Sequence, residues 1–576
     1  MISVILHKNK YSSGTKRYSV GESFNNNCFI KSNSQTTDES QYSSTIGACV
    51  ANSKMFSAKE ILEYYKKNRN QIFNKLKLEF SFALYLQSED VFFAARDRVG
   101  IKPFYYYDSD EIFIFSTDIS FIKNEINLTK LNPDWIISSL TATVYDKITS
   151  QIDKIKKLPP AHYLKIENGN LQIKKYWRLN KIEIREKTHI AYLSELKQRF
   201  ILAVENRMKG QTGSELSGGL DSSAIVGVAS RKESTLFTYS HTLQDDLLDK
   251  IFPYQDERYY RNLVVNSQGN IKYRDIDAKN KGLFYEMKKE LRELSVPVTS
   301  TLAYFSDGIF DCAREDQIDT LLSGFGGDEG VSNFANILPY QYARSFQFLK
   351  LKQAIGKPYY SKAYVARILK THLKFLTHQK NNWREDSYNM MFLNPNFVES
   401  EHVEKKYWDY HHNKSVQNLD EYLFMKLNEN YISNRTEATG AAARSRGIEY
   451  SFPLLDVDLI EYYYSMPDSL KYQKGVGRYA YRQIIKEFVP REIYLRTDKT
   501  GATVPNVLAR FMKDYQLIED FLQSVRNGKA AQYINFDKMI LNMELIKRYS
   551  KGERIRANQH IFFNALMLVL YLEEEY

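Results

Sequence analysis

The sequence predicts an α/β protein of two domains, a β-rich N-terminal domain over residues 1–185 and a C-terminal α/β domain over residues 186–576. Aromatic and β-branched runs of strand length fill the first part. In the second part strands alternate with helices, which predicts a doubly wound parallel sheet with added helices. A glycine- and serine-rich loop over residues 217–223 joins a strand to a helix there, and the fold is organised around it.

Composition is typical of a globular protein, with 43% hydrophobic and 26% charged residues among 576. The net charge of +11 suits anionic ligands but does not by itself indicate nucleic acid, which we do not expect as a partner. Cys28, Cys49 and Cys312 have neither metal-site spacing nor a disulfide framework, which favours the cytoplasm. The apolar run over residues 565–572 is shorter than a membrane span of about 20 residues and predicts a buried helix, without membrane insertion.

In the N-terminal domain, strands are predicted over residues 80–86, 91–95, 104–107 and 112–116. The polar, serine- and asparagine-rich residues 22–45 predict a long loop.

In the C-terminal domain, apolar periodicity predicts helices over residues 191–208, 256–265 and 304–314. Strands are predicted over residues 236–240, 271–276 and 320–322. Ligands of such a parallel sheet lie at the carboxyl ends of its strands.

The loop reads Ser217-Gly218-Gly219-Leu220-Asp221-Ser222-Ser223. Backbone N–H groups at a helix start, close-approaching glycines and serine hydroxyls together predict a phosphate site. Asp221 would repel phosphate unless Mg2+ lies between them. The alternative is a serine-rich turn that caps a core helix.

This string resembles the pyrophosphate loop of the ATP pyrophosphatases. It lacks the Gly-Lys-Ser/Thr of a Walker A loop, so cleavage between the α and β phosphates is expected. The resemblance implies ATP or pyrophosphate contacts from Leu216, Ser217, Gly218, Gly219, Asp221, Ser222, Ser223, His241, Ser323 and Gly324. A second loop, Ser-Gly-Phe-Gly-Gly-Asp-Glu over residues 323–329, places Asp328 as the second Mg2+ ligand beside Asp221. Its alternative is a glycine-rich turn with a solvated acid.

The resemblance widens to the asparagine synthetases. Residues 80–107, with Ala-Arg-Asp-Arg-Val-Gly-Ile-Lys-Pro-Phe-Tyr-Tyr, and Leu-Pro-Pro-Ala-His at 158–162 resemble their glutaminase domain. That implies an αββα sandwich of the Ntn type, whose nucleophile is a cysteine exposed by removal of Met1. Ile2 stands at this position, so we expect a degenerate domain without glutamine hydrolysis.

Residues 444–456 and 496–501 resemble the second half of an asparagine synthetase-type domain. Lys499 falls on the family's catalytic lysine, where a compact charge can follow negative charge on the phosphorus and acyl oxygens. A plain surface lysine is the alternative. Glu437 is proposed as base or orienter of the amine; the alternative is a surface glutamate paired with Arg435 or Arg444.

The resemblance implies adenylation of a carboxylate and attack by an amine, with ATP and Mg2+ as cofactors. Asparagine synthetases carry an acid, and β-lactam synthetases a tyrosine, where this chain has Phe325, which argues against ammonia as the nucleophile. The strings around 323–329 and 447–456 are most similar to lasso-peptide cyclases, which close a macrolactam between an Asp or Glu side chain and the α-amine of a precursor peptide. A leader-peptide protease and a leader-binding protein are further expected partners.

Two alternatives remain open. The chain could be an amide synthase for a small molecule or a non-catalytic binding protein; a tRNA-modifying pyrophosphatase is disfavoured because paired cysteines are lacking. Residues 331–384 carry only basic charges and predict a solvated helical face or a docking surface for an acidic peptide or carrier.

Overall fold

The structure is a computed structural model of the chain. It describes residues 2–7, 28–32, 39–44, 47–52, 56–86, 88–141, 146–168, 170–185, 188–242, 257–277, 282–298, 302–356, 392–406, 416–428, 430–497 and 503–574. Lys499 and the second half of the basic segment, residues 357–384, lie outside the described residues.

Two antiparallel sheets form the N-terminal domain. Its strands are β1 (Ile2–His7), β2 (Cys28–Ser32), β3 (Glu39–Ser44), β4 (Gly47–Asn52), β5 (Ser81–Leu86), β6 (Val91–Arg96), β7 (Tyr105–Asp108), β8 (Ile112–Ser116), β9 (Lys156–Lys157), β10 (His162–Glu167) and β11 (Asn170–Lys175). One sheet has the order β2-β1-β8-β7-β9, and the other β11-β10-β6-β5-β4-β3. The helices are α1 (Ala58–Asn68), α2 (Ile72–Lys75), α3 (Ile119–Glu125) and α4 (Pro133–Thr141).

Side chains of β6 show why these elements form four layers. Successive strand residues point to opposite faces. Phe92 packs between the two sheets, with its ring centroid 5.8 Å from that of Phe113. Phe93 packs on the other face beneath α1, 4.9 Å from the ring of Tyr65. Ile114 faces α3 and α4 on the outer side of the second sheet, so the predicted αββα sandwich is confirmed.

The sequence-based strands are confirmed with small shifts, but the loop prediction for residues 22–45 is wrong in part. β2 and β3 both fall in this range, and each lies at the edge of its sheet. A strand at an edge has one neighbour and needs less apolar surface than a central one. Polar composition therefore did not exclude strands here.

The C-terminal domain is built on a five-stranded sheet of order β14-β13-β12-β15-β16, in which every neighbouring pair is parallel. Its strands are β12 (Thr212–Glu215), β13 (Leu236–His241), β14 (Ile271–Ile276), β15 (Thr320–Leu322) and β16 (Glu449–Ser451). A small hairpin, β17 (Tyr472–Gln473) and β18 (Val476–Gly477), lies outside it.

Helices cover both faces of this sheet. Leu322 packs with Phe200 and Val226 in one buried cluster, while the preceding Leu321 packs with Phe310 in another. Because neighbouring strand residues face opposite ways, the two clusters lie on opposite sides of the sheet. The predicted doubly wound arrangement is confirmed.

The helices of this domain are α5 (His189–Glu205), α6 (Leu220–Ala229), α7 (Arg258–Gln268), α8 (Leu283–Leu294), α9 (Leu302–Glu315), α10 (Leu338–Arg344), α11 (Phe348–Ile355), α12 (Pro395–Ser400), α13 (Leu419–Asn428), α14 (Asn430–Arg444), α15 (Val457–Ser465), α16 (Asp468–Lys471), α17 (Tyr479–Ile484), α18 (Arg491–Leu495), α19 (Thr503–Lys513), α20 (Tyr515–Ser524), α21 (Phe536–Ser550) and α22 (Gln559–Glu573). The predicted C-terminal helix is α22, whose middle residues are buried. Within the described ranges, no helix is long and apolar enough to cross a membrane.

Buried ion pairs join the two domains. They are Arg96–Glu437, Lys157–Glu437, Lys102–Glu449 and Arg207–Glu79. Two of the cations flank Asp97, whose carboxylate accepts four backbone N–H groups of residues 99–102 at 2.7–3.1 Å. One buried carboxylate thus shapes the loop that presents Arg96 and Lys102 to the C-terminal domain.

Candidate active site

The candidate site is a cleft at the carboxyl ends of β12 and β15. Thr212–Glu215 and Thr320–Leu322 pair in parallel, so both strands end at the same edge. The first glycine-rich loop follows β12 and the second follows β15. Together they line a cavity of about 460 Å³.

The first loop leaves the start of α6 open towards the cleft. α6 begins at Leu220 after Gly219, and no side chain caps it. The backbone N–H of Ser217 donates to Oγ of Ser222 at 3.1 Å, which closes the loop on itself. Gly218 has φ +73°, and a Cβ there would lie 2.8 Å from the backbone N of Arg261. An uncapped helix start of this kind accepts an anion.

The two loops touch each other at Asp221. A Cβ on Gly327 would lie 2.8 Å from Cγ of Asp221, so only glycine fits at this contact. The Arg478 guanidinium contacts both predicted metal ligands: Nη1 lies 3.8 Å from Asp221 Oδ2, and Nη2 is paired with Asp328 Oδ1. The two carboxylates therefore converge on one cationic group; that they share a metal ion remains a prediction.

Glu215 fixes the floor of the cleft. Its carboxylate accepts a hydrogen bond from the Tyr450 hydroxyl at 2.6 Å and from the Ser323 hydroxyl at 2.8 Å. Burial, with the Glu215 charge adding to it, raises the pKa of Tyr450 well above its ordinary value, so its hydroxyl stays a donor. These bonds tie the ends of β12, β15 and β16 together.

Four arginines line the cleft among its carboxylates: Arg435, Arg478, Arg482 and Arg496. Arg496 donates to the Gly218 carbonyl at 3.2 Å and pairs with Glu257 at 2.8 Å. Arg482 in turn donates to the carbonyl of Arg496 at 2.7 Å. Four guanidinium groups beside an open helix start suit a polyphosphate or a carboxylate ligand.

Phe325 forms an apolar wall of the same cleft. Its ring centroid lies 5.9 Å from that of Phe452, and the Arg435 guanidinium lies 3.9 Å above the Phe325 ring. Next to it, Tyr431 donates a hydrogen bond to Glu329. Burial, reinforced by the charge of Asp328, raises the pKa of Glu329 to about 7.

The structure brings most of the predicted contact residues to this cleft. Those that line it are Ser217, Gly219, Asp221, Ser222, Ser323, Gly324 and Asp328. Leu216 and Ser223 are buried behind it, and Gly218 contributes a carbonyl that Arg496 bonds. His241 ends the adjacent strand β13; burial, and then the charge of Arg510, lowers its pKa to about 4. The ligand contacts of these residues, and the role of Lys499, remain predictions.

Glu437 lies away from the loops. It is buried at the domain junction, where it pairs with Arg96 at 2.5 Å and Lys157 at 2.8 Å instead of Arg435 or Arg444. Burial alone would raise the pKa of Glu437, but Lys157 and Arg96 hold it below the ordinary value. Glu437 borders a separate cavity of about 240 Å³ between the domains. Its role as base remains a prediction, and these contacts lend it no support.

Sequence reasoning missed Arg478 and Glu215. Arg478 follows the hairpin β17–β18 with φ +59°, a conformation that sequence spacing does not reveal. It stands between the motif stretches 444–456 and 496–501, and this position was the only signal in the sequence. Glu215 ends the strand before the first loop. An acid so close to a phosphate site indicates a side chain that bonds to other parts of the protein, and this was the available signal.

Comparison with known proteins gives two family matches. The asparagine synthase model matches residues 195–571, more than half of the chain, and a glutamine amidotransferase domain model matches residues 53–177.

Several relatives are similar to parts of the chain. Asparagine synthetase 1 (glutamine-hydrolyzing) of Bacillus subtilis is 20% identical over 508 residues, which cover 84% of this chain and 76% of that protein. Asparagine synthetase 3 of the same organism is 28% identical over 184 residues, 30% of this chain and 29% of that one. Amidase chry2 of Gibberella zeae is 29% identical over 180 residues, 30% of this chain and 26% of that one.

The chain spans about half the length, 52%, of a further relative from Methanocaldococcus jannaschii. The family model nevertheless extends from α5 through α22 and includes both glycine-rich loops and the whole parallel sheet. The chain belongs to the asparagine synthase family.

Proposed function

We propose that this protein is an ATP-dependent ligase that adenylates a carboxylate and joins it to an amine. The observation that carries the proposal is the convergence of Asp221 and Asp328 on one guanidinium beside the open start of α6. Relatives named asparagine synthetases support the same reaction class.

Mg2+ fits this arrangement, because Asp221 and Asp328 already share one cationic group. Hard carboxylate oxygens are the ligands that this ion takes. Asp221 and Asp328 would hold it, and it would supply neutralisation of the phosphate charge.

The chain's own groups bind and orient the nucleotide. The N–H groups at the start of α6 and the hydroxyls of Ser217 and Ser222 hold the pyrophosphate portion. In the first step a carboxylate oxygen of the substrate attacks the α-phosphorus, and pyrophosphate leaves. In the second step an amine attacks the acyl carbon, loses a proton, and AMP leaves. Lys499 is proposed to meet the charge that builds up in both steps.

The amine is proposed to be the α-amine of a precursor peptide, and the product a macrolactam of the lasso-peptide type. Support comes from the wall formed by Phe325, a side chain that carries no carboxylate to pair with an ammonium ion and cannot move a proton. Arg435, held over that ring, offers a guanidinium to the acceptor carboxylate, an Asp or Glu side chain. A leader-peptide protease and a leader-binding protein are proposed partners.

An amide synthase for a small molecule fits the same cleft about equally well, because Phe325 argues against ammonia without selecting a peptide. Acceptor-dependent exchange of labelled pyrophosphate into ATP separates the two proposals. Peptides with an internal Asp or Glu should stimulate exchange, and the product should weigh one water less than the peptide. Exchange with free amino acids alone would favour the small-molecule synthase. ADP and phosphate as products would contradict both.

A further inference from the structure

A third cavity, of about 270 Å³, lies where the N-terminal sandwich meets helices α13 and α15. On one side it is lined by the loop at Pro160 and the end of β11, and on the other by Phe424, Asn428 and Ile460. It shares no lining residue with the loop cleft. It is called the basic pocket here because five basic side chains line it: Arg98, Lys147, His162, Lys175 and Arg178.

Nothing acidic balances these charges: none of the described lining residues is an aspartate or glutamate. The Lys147 ammonium donates to the amide oxygen of Asn428 at 3.2 Å, and the His162 ring Nδ1 lies 2.7 Å from the Pro160 carbonyl. Within the described chain, no carboxylate lies within ion-pair distance of Lys147 or Lys175. The neutral amide partner of Lys147 leaves the positive charge of this lysine uncompensated.

Arg98 adds a deeper donor. Its side chain is 8% exposed, and its two terminal nitrogens donate to the carbonyls of Phe73 and Leu76. Its Nε is buried and has no hydrogen-bond partner among the described residues. A buried N–H without a partner costs stability unless a ligand or water satisfies it.

The positive charges of this pocket lower the pKa values of their neighbours. Burial, followed by repulsion from Lys175 and Arg96, lowers the pKa of Lys147 to about 8. Burial also lowers the pKa of His162, with Lys175 and Lys147 contributing in the same direction. A bound anion would remove this repulsion and restore the charge on both groups.

We propose that the basic pocket binds a small oxyanion-bearing molecule, either a carboxylate or a phosphate, independently of the nucleotide cleft. The cations supply the recognition, and the rings of Trp177 and Phe424 supply an apolar wall for a short carbon frame. Inorganic phosphate or pyrophosphate and small dicarboxylates share this chemistry.

Phosphate and pyrophosphate would also enter the nucleotide cleft, so a measurement of total binding would not distinguish the two sites. The test therefore measures the chemical reactivity of the Lys147 amine itself. At pH 8 about half of the Lys147 amine is unprotonated, against less than about 1% of an ordinary exposed lysine. Acetic anhydride should therefore label Lys147 faster than Lys130, as mass spectrometry of the labelled peptides measures. Inorganic phosphate, pyrophosphate and glutarate are then added singly, at an ionic strength held constant with KCl.

At least one of the three probes should slow labelling of Lys147 about fivefold and saturably, since an anion that raises its pKa by one unit removes most of the reactive amine. Lys175→Gln should abolish this protection, while Lys165→Gln, whose ammonium pairs with Glu167 on the same hairpin, should leave it intact. Protection by phosphate or pyrophosphate would indicate a phosphate ligand, and protection by glutarate would indicate a carboxylate ligand. No protection by any probe, or equal protection in Lys175→Gln, would overturn the proposal.

Discussion

Carboxylates occur in two contrasting settings in this molecule. At the domain junction, the side chains of Glu437 and Glu449 are 6% and 4% exposed, and each pairs with lysine or arginine within 3 Å. In the loop cleft, Asp221 and Asp328 are 19% and 35% exposed and share Arg478. The junction carboxylates are saturated by partners from the other domain, whereas the cleft carboxylates face open space.

The difference separates charges that hold the fold from charges that meet a ligand. Removing one member of a buried pair leaves an uncompensated charge and costs stability. Removing a partly exposed carboxylate costs less stability and removes whatever the carboxylate binds. Substitutions at the domain junction should therefore mainly lower stability. Substitutions in the loop cleft should mainly lower activity.

The largest effect is expected from Asp328→Asn and Asp221→Asn. Each should slow ATP–pyrophosphate exchange about 1,000-fold, or about 4 kcal/mol, because each removes a carboxylate proposed to hold the Mg2+ that would neutralise the phosphates. The double variant should be little worse than either single one, since both act on one site. Urea unfolding should remain close to wild type, and Asp153→Asn, in an exposed pair with Lys130, serves as control. Wild-type exchange in either variant would remove that residue from the site.

The second effect concerns stability. Glu437→Gln should lower the free energy of unfolding by roughly 3 kcal/mol, because Arg96 and Lys157 lose their charged partner. Glu167→Gln, in an exposed pair with Lys165, should change it by about 0.5 kcal/mol or less. Urea titrations measure both values.

The pH dependence of the Glu437 pair has a definite sign. The folded-state pKa of Glu437 is lowered, so the pair contributes fully above the unfolded value of about 4.3 and its contribution is lost as pH falls below it. The gap between wild type and Glu437→Gln should therefore shrink from about pH 4 downward. A gap that grows with acidity would contradict the ion-pair assignment. Intact stability with lost ring closure would instead restore Glu437 as the base.

A third substitution tests the contact between the two loops. Gly327→Ala places a methyl group 2.8 Å from Cγ of Asp221 and 2.5 Å from Oγ of Ser332, which should displace Asp221. We expect a loss in exchange rate of about thirtyfold, or about 2 kcal/mol. Gly440→Ala in α14 meets only the end of Arg444 at 3.3 Å and should retain activity. Equal activity of the two variants would show that the loops do not need this contact.

The smallest effect is expected from Phe325→Leu. It removes the ring beneath Arg435, a contact worth about 1 kcal/mol, and should raise the acceptor KM about fivefold with little change in kcat. Steady-state kinetics with varied acceptor measure it. A fall in kcat alone would place Phe325 in the chemical step.

Much of the fold could be predicted because periodicity and strand chemistry are local properties. Strands Ile112–Ser116 and Ile271–Ile276 have the predicted bounds. The edge strands Cys28–Ser32 and Glu39–Ser44 were missed because edge pairing tolerates polar residues.

The part of the candidate site that depends only on the order of strands and loops along the chain could be predicted. Asp221 and Asp328 follow two strands whose carboxyl ends must meet at one sheet edge. The partners of Glu437 were not predictable, since Arg96 and Lys157 lie 341 and 280 residues away in sequence. Arg478 depends on a left-handed backbone and on packing, neither of which spacing shows.

The loop shaped by Asp97 bears on how the molecule can move. Arg96 and Lys102 reach across to Glu437 and Glu449 from either side of a turn that four backbone hydrogen bonds hold. A hinge rotation between the domains would break both pairs together, at several kcal/mol each. We therefore expect the two domains to move as one body during turnover. Any closure over a bound nucleotide should then come from segments within the C-terminal domain.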